Sequence, residues 1–180
     1  ALGAGTHLTS DISAKADILF ASSGSLTPGG NIATDGLIDI SASDVQLAGN
    51  VVASSGFLTR ITGGVAIAKT GALRSGTGLA LDVTSITNEG LIESAGALNL
   101  KTAADFATLG ALAGADAVTL TIGRHLSGNG TVQAGGALDA IVTGSATLDG
   151  TLSAGGDLKL AANSLAIGAT VATAGTLDLS

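Results

Sequence analysis

A repeat of about 20 residues runs through the whole chain and limits its possible folds more than any other feature. Each repeat has an anchor, an aliphatic residue that opens an apolar-x-apolar triplet. The spacings between anchors are 20, 20, 21, 19, 20, 20, 20 and 19 residues. The anchors are Ile18, Ile38, Leu58, Leu79, Leu98, Val118, Leu138, Leu158 and Leu177. Self-similarity at such a period indicates a repeat architecture, in which successive units stack on one another.

Further apolar columns keep the same period. Two residues after the anchor stand Phe20, Ile40, Leu81, Leu100, Leu120, Ala140, Leu160 and Leu179, whereas Arg60 interrupts the column. About fourteen residues after the anchor stand Ile32, Val52, Leu73, Ile92, Leu112, Val132, Leu152 and Val171. A third apolar set lies between these two columns, and Gly30, Asn50, Gly71, Gly90, Gly110, Gly130 and Gly150 precede the fourteenth-residue column. Each repeat therefore contains three short apolar segments separated by turn residues.

The apolar segments predict strands and not helices. Apolar and polar residues alternate within them, as in Leu98-Asn99-Leu100 and Leu158-Lys159-Leu160, and a period of two is the pattern of a strand. The 28 glycines among 180 residues disfavour helices, because each interior glycine costs about 0.5–1 kcal/mol relative to alanine. No heptad pattern persists, which excludes a coiled coil.

We therefore predict an all-β fold, a right-handed parallel β-helix (solenoid) of about nine coils, with roughly 20 residues and three short strands per coil. The aliphatic columns should point inward and stack at the inter-strand spacing of about 4.8 Å. Ser, Thr and Asp should cover the exterior, and Gly and Asn should occupy corners that need a positive φ. We expect residues 1–180 to form one β-helical segment that is an excerpt of a longer rod.

Composition excludes several classes of protein. The net charge is −7, and seven Lys and Arg residues scattered along the chain cannot form a phosphate-binding patch, so no nucleic acid partner is expected. The chain has no Cys, which excludes disulfides and thiolate metal sites. The glycine-rich calcium-binding nonapeptide of other β-rolls does not occur. We predict no catalytic, cofactor-binding or metal-binding residue, and no cofactor.

The polar residues that could suggest a site have simpler interpretations. Asp139 and Lys159 should lie one rung apart and attract each other on a solvated face. The acidic pairs Asp35 with Asp39 and Glu89 with Glu93 are predicted to be charges beside strands, and not a glycosidase pair. His7 and His125 are interpreted as equivalent surface positions. The sequon Asn129-Gly130-Thr131 is predicted to be a corner turn, and Phe57 to be the most exposed of the three phenylalanines.

The repeat resembles that of filamentous haemagglutinin and its relatives, the large exoproteins of two-partner secretion in Gram-negative bacteria. It reads G-G-x-L-x-L-x-A, a variable apolar stretch, then N-x-G-x-L-x-A-G. The two halves are visible in residues 156–162 and 129–135, and the second half recurs in residues 87–94. The resemblance covers the chain from Ile12 onward. It implies a secreted or cell-surface protein that belongs with the adhesins and the contact-dependent growth inhibition proteins.

From the resemblance we expect a structural shaft that supports adhesion or the delivery of a distal domain. The expected partners are an outer-membrane two-partner secretion transporter for the parent protein, flanking β-helix coils, and a host or bacterial cell-surface receptor. Two alternatives stay open: the side of the rod itself binds a receptor, or the rod is a polysaccharide-cleaving enzyme. The N-P-N-L-like motifs of the family's secretion domain are absent from these 180 residues.

Overall fold

The computed structural model describes residues 5–180, which form strands connected by short turns. The strands are β1 Thr6–Leu8, β2 Ile12–Ala14, β3 Ile18–Ala21, β4 Leu26–Pro28, β5 Ile32–Thr34, β6 Ile38–Ala42, β7 Val45–Leu47, β8 Asn50–Ala53, β9 Phe57–Ile61, β10 Gly64–Ile67, β11 Ala72–Ser75, β12 Leu79–Val83, β13 Ser85–Asn88, β14 Leu91–Ser94, β15 Leu98–Thr102, β16 Phe106–Thr108, β17 Ala111–Gly114, β18 Val118–Ile122, β19 Leu126–Gly128, β20 Thr131–Ala134, β21 Leu138–Leu148, β22 Thr151–Ala154, β23 Leu158–Ile167, β24 Thr170–Thr173 and β25 Leu177–Leu179.

The strands wind as a parallel β-solenoid of about nine coils with three strands per coil, which confirms the predicted architecture. Face A consists of β3, β6, β9, β12, β15, β18, the first halves of β21 and β23, and β25. Face B consists of β1, β4, β7, β10, β13, β16, β19 and the second halves of β21 and β23. Face C consists of β2, β5, β8, β11, β14, β17, β20, β22 and β24. The long strands β21 and β23 continue around the corner from face A to face B.

Most residues of the predicted apolar columns form the core, whereas Leu177 and Leu179 on the last rung are exposed. On face A, Leu98, Val118, Leu138 and Leu158 occupy successive rungs and are all buried. One cluster of buried residues extends from Phe20 to Leu160 without interruption. Burial of each aliphatic side chain contributes about 1.5–3 kcal/mol, so the stacked columns are the main source of stability.

In one coil the pairing with the preceding coil is shifted by one residue from the predicted register. Phe57, not Leu58, pairs with Ile38, and Val51, not Val52, pairs with Ile32. The corner glycine of this coil is Gly49 in place of Asn50. This register also keeps Arg60 in solvent: a strand alternates, so pointing Leu58 inward would also bury the Arg60 guanidinium. The strand instead buries Ile61 and exposes both Leu58 and Arg60.

The next coil absorbs this shift by being longer. From Phe57 to Leu79 it contains 22 residues, whereas neighbouring coils contain 19 or 20. The extra residues lie in a turn between Ile67 at the end of β10 and Ala72 at the start of β11. In this turn Thr70 Oγ1 donates to the Ala48 carbonyl of the preceding coil at 3.0 Å.

The prediction that corner glycines need a positive φ is wrong. Among the described residues only Gly5, Gly56 and Gly128 have one. The corner between faces B and C instead needs glycine because stacked backbones approach closely there. A Cβ on Gly150 would overlap the carbonyl oxygen of Gly130, which lies in the corner one coil below.

The prediction that Ser and Thr cover the exterior does not hold for every such residue. Ser75, Ser94 and Thr34 are buried near the corner between faces C and A. Their hydroxyls donate to carbonyl oxygens of the corner turns; Ser75 Oγ, for example, donates to Gly78 O at 3.1 Å. Small hydroxyl side chains therefore satisfy the backbone at the turns, as buried polar groups must be satisfied.

The core columns predict the effect of truncating Leu120, which is 2% exposed. Leu120→Ala should lower the free energy of unfolding by about 2–5 kcal/mol, because it opens a cavity between coils. Thr121→Ala, on the exposed side of the same strand, should cost less than about 1 kcal/mol. Urea denaturation of both variants measures the difference. Equal stabilities would contradict the assignment of Leu120 to the core.

The corner geometry predicts different outcomes for two glycine substitutions. Gly150→Ala should lower the free energy of unfolding by about 1–3 kcal/mol, because the added methyl group overlaps the coil below. Gly78→Ala should change it by less than about 1 kcal/mol, because the nearest atom, the Ala97 carbonyl oxygen, would lie 3.5 Å from the new Cβ. Thermal denaturation followed by circular dichroism compares them, and a stable Gly150→Ala variant would refute the close-approach explanation.

Candidate functional surfaces

Charged side chains on the outside of the solenoid pair between neighbouring coils. The ion pairs are Asp39–Arg60 at 2.6 Å, Asp82–Lys101 at 2.7 Å, Glu93–Arg74 at 2.9 Å and Asp105–Arg124 at 3.9 Å. Most of these side chains are largely exposed, so each pair contributes only about 0–1 kcal/mol. The pairs follow from stacking, because outward residues one coil apart lie on adjacent rungs.

The predicted charge positions are partly confirmed. Asp139 and Lys159 do occupy adjacent rungs, but within residues 5–180 no ion pair of 4 Å or less joins them. Glu93 bonds Arg74 across the rungs, while Glu89 lies exposed in a corner. Asp39 likewise bonds Arg60, and Asp35 is exposed in a turn.

Several aspartates have a structural role at the corners. Their carboxylates accept the backbone N–H of a residue one coil further on; the pairs are Asp11 with Asn31, Asp17 with Leu37, Asp44 with Gly64, Asp105 with His125, and Asp157 with Thr176. The backbone N–H of Thr176, 2.7 Å from Asp157 Oδ1, holds the pKa of that carboxyl below its ordinary value. Part of the net negative charge therefore serves the backbone at turns.

His125 forms the most specific polar contact on the surface. Its Nδ1 lies 2.8 Å from Ser145 Oγ and 3.3 Å from the Ser145 backbone nitrogen, which donates to it. Asp105, one coil before, bonds the backbone N–H of His125 and not the imidazole. The three residues share a column, but they lack the carboxylate–imidazole contact that orients a catalytic triad.

The predicted equivalence of His7 and His125 is wrong. His7 pairs with Thr27 on the outward column of face B, whereas His125 precedes β19 in the same column as Ser145. The sequon Asn129-Gly130-Thr131 lies at the turn between β19 and β20, as predicted. Within residues 5–180 no group of three or more His, Asp or Glu side chains could hold a metal ion.

Face A contains a break, which creates a groove. β9 pairs with β6, and β12 pairs with β15, but no ladder joins β9 to β12. One side-chain bond, from Thr59 Oγ1 to Ala80 O at 3.2 Å, crosses the gap. The groove has a volume of about 500 Å³, and it is lined by Phe57, Leu58, Thr59, Ala80, Leu81, Asp82, Asn99, Leu100, Lys101, Thr119 and Thr121.

Exposed apolar side chains lie beside this groove. Leu58 is 50% exposed, and Leu19 is 66% exposed two rungs before it, with Asp39 between them. Phe57 is half-buried, whereas Phe20 and Phe106 are buried, so the prediction that Phe57 is the most exposed phenylalanine is confirmed. The groove could not be predicted from the sequence, because a missing ladder leaves the residue pattern unchanged.

The fold and surfaces define a class of protein: a β-solenoid built from a repeat of one coil, in which the repeated residue pattern serves the stacking of the coils. The chain belongs to the haemagglutinin repeat family, whose model matches residues 8–82, 61–124 and 125–180. These matches together span almost the whole chain and confirm the resemblance found in the repeat. No curated protein and no solved structure matches the chain significantly.

The haemagglutinin repeat is a structural repeat of adhesin-type exoproteins, a family associated with secretion and the cell surface. Its match spans the coils that carry the face A groove and those that carry the His125–Ser145 contact. In the described part of the chain, no helix has the length and apolar character needed to cross a bilayer.

The break predicts uneven hydrogen exchange. Alternate residues of a parallel strand bond the same neighbour, and the Leu79 N–H bonds Ala97 O in the following coil, so the Ala80 and Asp82 amides point toward the gap. They should exchange at least about tenfold faster than the amides of Asn99 and Lys101, the equivalent positions on paired β15. Residue-resolved exchange by nuclear magnetic resonance provides the comparison. Equal protection would mean that β9 and β12 are hydrogen-bonded in solution.

Proposed function

We propose that this chain is part of the structural shaft of a large secreted or cell-surface exoprotein, where it supports adhesion or the delivery of a distal domain. The observation that carries the proposal is the uninterrupted stack of apolar columns from Phe20 to Leu160. Each coil rests only on its neighbours, so the rod extends by about 4.8 Å with each further coil. Such a structure provides length and stiffness, which a distal domain needs to reach another cell.

The proposed partners follow from the same architecture. Flanking β-helix coils would continue the columns of this segment. An outer-membrane two-partner secretion transporter of a Gram-negative bacterium would export the parent protein as an unfolded chain. The absence of Cys supports this route, since no disulfide can form within these residues before export. Coil-by-coil folding of a solenoid also suits a chain that emerges from one end.

A second candidate function is direct binding of a cell-surface receptor by the side of the rod. The observation that favours it is the groove on face A with the exposed Leu58 and Leu19 beside it. Apolar side chains next to a groove are a common feature of binding surfaces. The shaft remains the preferred function because the whole repeat supports it, whereas the groove involves only a few coils.

The shaft proposal predicts that one coil can be removed without loss of function. Deletion of residues 138–157 joins Ala137 to Leu158, which then occupies the rung of Leu138. We expect the shortened chain to stay folded, and the parent exoprotein carrying this deletion to keep its adhesion or delivery activity. Deletion of only residues 138–147 is the matched control, because it places face B residues on face A and should destroy the fold locally.

Two results would contradict the shaft proposal. The first is loss of adhesion or delivery by a parent protein that stays folded and exported after the whole-coil deletion. The second is saturable binding of cells by the intact 180-residue chain, which would favour the receptor-binding alternative. Circular dichroism and surface detection of the parent protein establish folding and export in both experiments.

A further inference from the structure

One inward column contains polar residues in its middle. On face B, beside the corner with face C, the successive rungs are occupied by Leu47, Ile67, Asn88, Thr108, Gly128, Leu148 and Ile167. Asn88 is 0% exposed and Thr108 is 1% exposed. The aliphatic residues on either side show that this column belongs to the core, so the two polar side chains need partners inside it.

The hydrogen bonds of Asn88 satisfy only part of its amide. Its Nδ2 donates to the carbonyl oxygen of Ala111 in the following coil at 3.0 Å. This bond determines the orientation of the amide, because the reverse orientation would place Oδ1 against another oxygen. Asn88 Oδ1 and Thr108 Oγ1 are both buried, and neither has a hydrogen-bond partner among residues 5–180.

The chemistry of these two atoms specifies the missing partner. Oδ1 only accepts hydrogen bonds, and the threonine hydroxyl donates and accepts, so a small molecule with two O–H donors and an acceptor oxygen satisfies both. Adjacent rungs are about 4.8 Å apart, so equivalent atoms on the two rungs are too far apart for a direct hydrogen bond. One small molecule between them can bridge this distance with two hydrogen bonds of about 2.8 Å. Gly128 adds no side chain on the rung after Thr108.

We propose that Asn88 Oδ1 and Thr108 Oγ1 bind one internal water molecule, which joins two successive coils inside the core. Buried waters in proteins bridge polar groups that have no other partner in this way. The bridge also has a consequence for folding. The leucine columns are nearly identical in every coil, so they distinguish poorly between the correct stacking and a slip by one coil. A polar pair that matches only at these two rungs penalises the slipped arrangement.

The test uses two shape-conserving substitutions in the intact chain. Thr108→Val replaces the hydroxyl by a methyl group, and Asn88→Leu extends the aliphatic part of the column that contains Leu47 and Ile67. With the water in place, Thr108→Val should lower the Tm because it removes one of the water's two partners. The double variant should melt at or above the wild-type Tm. Thr87→Val, on the exposed side of the same strand as Asn88, is the matched control and should leave the Tm nearly unchanged.

A second measurement detects the water directly. Cross-relaxation between water and the side chains of Asn88 and Thr108 should be present in the wild-type chain and absent from the double variant. The proposal is overturned if Thr108→Val raises the Tm by itself and no cross-relaxation is seen, because the hydroxyl is then buried without a partner. A high-resolution crystal structure with a bound cation between the two oxygens would also overturn it.

Discussion

The spacing of about 4.8 Å between coils determines which residue each position can hold. Every residue lies directly above and below the residues of the same column, so a column works only if its members tolerate each other at that distance. Leucine, valine and isoleucine pack well on themselves, as in the column Leu98, Val118, Leu138 and Leu158. At the corner between faces B and C, backbones approach so closely that glycine is required. On the outer surface, several acidic side chains form ion pairs with basic side chains one coil away.

Much of the fold could be predicted because this rule is repeated in every coil. Alternation in each segment predicts strands, and the period of about 20 residues predicts their stacking. The predictions are wrong where the residues of one coil are compatible with two different structures. Phe57 and Leu58 are both apolar, and the observed register, which points Phe57 inward, keeps Arg60 in solvent. The sequence pattern also could not show why the corners contain glycine. A close approach of two backbones and a positive φ both select glycine, so the residue type does not distinguish them.

The surfaces were less predictable than the core. The sequence correctly assigned Asp139 and Lys159 to adjacent rungs, but adjacency alone does not bring two side chains into contact. No sequence motif indicated the role of Asp11, Asp17 and Asp157, whose carboxylates accept hydrogen bonds from backbone N–H groups at turns. The groove on face A is missing from the sequence pattern because it results from an unpaired ladder between β9 and β12. Asn88 and Thr108 were overlooked because a polar residue in a strand is normally assigned to the outside.

Three irregular features of the rod lie close together, and the reason is physical. In a solenoid each coil contacts only its neighbours, so an irregularity disturbs one or two rungs and leaves the rest of the stack intact. The 22-residue coil after Phe57, the gap between β9 and β12, and the buried Asn88 all fall within two consecutive coils. A rod of identical coils would stack equally well in several registers. A short irregular section, whose coils match each other only in the native register, gives the stack a unique alignment. It does so at little cost to the length or stiffness of the rod.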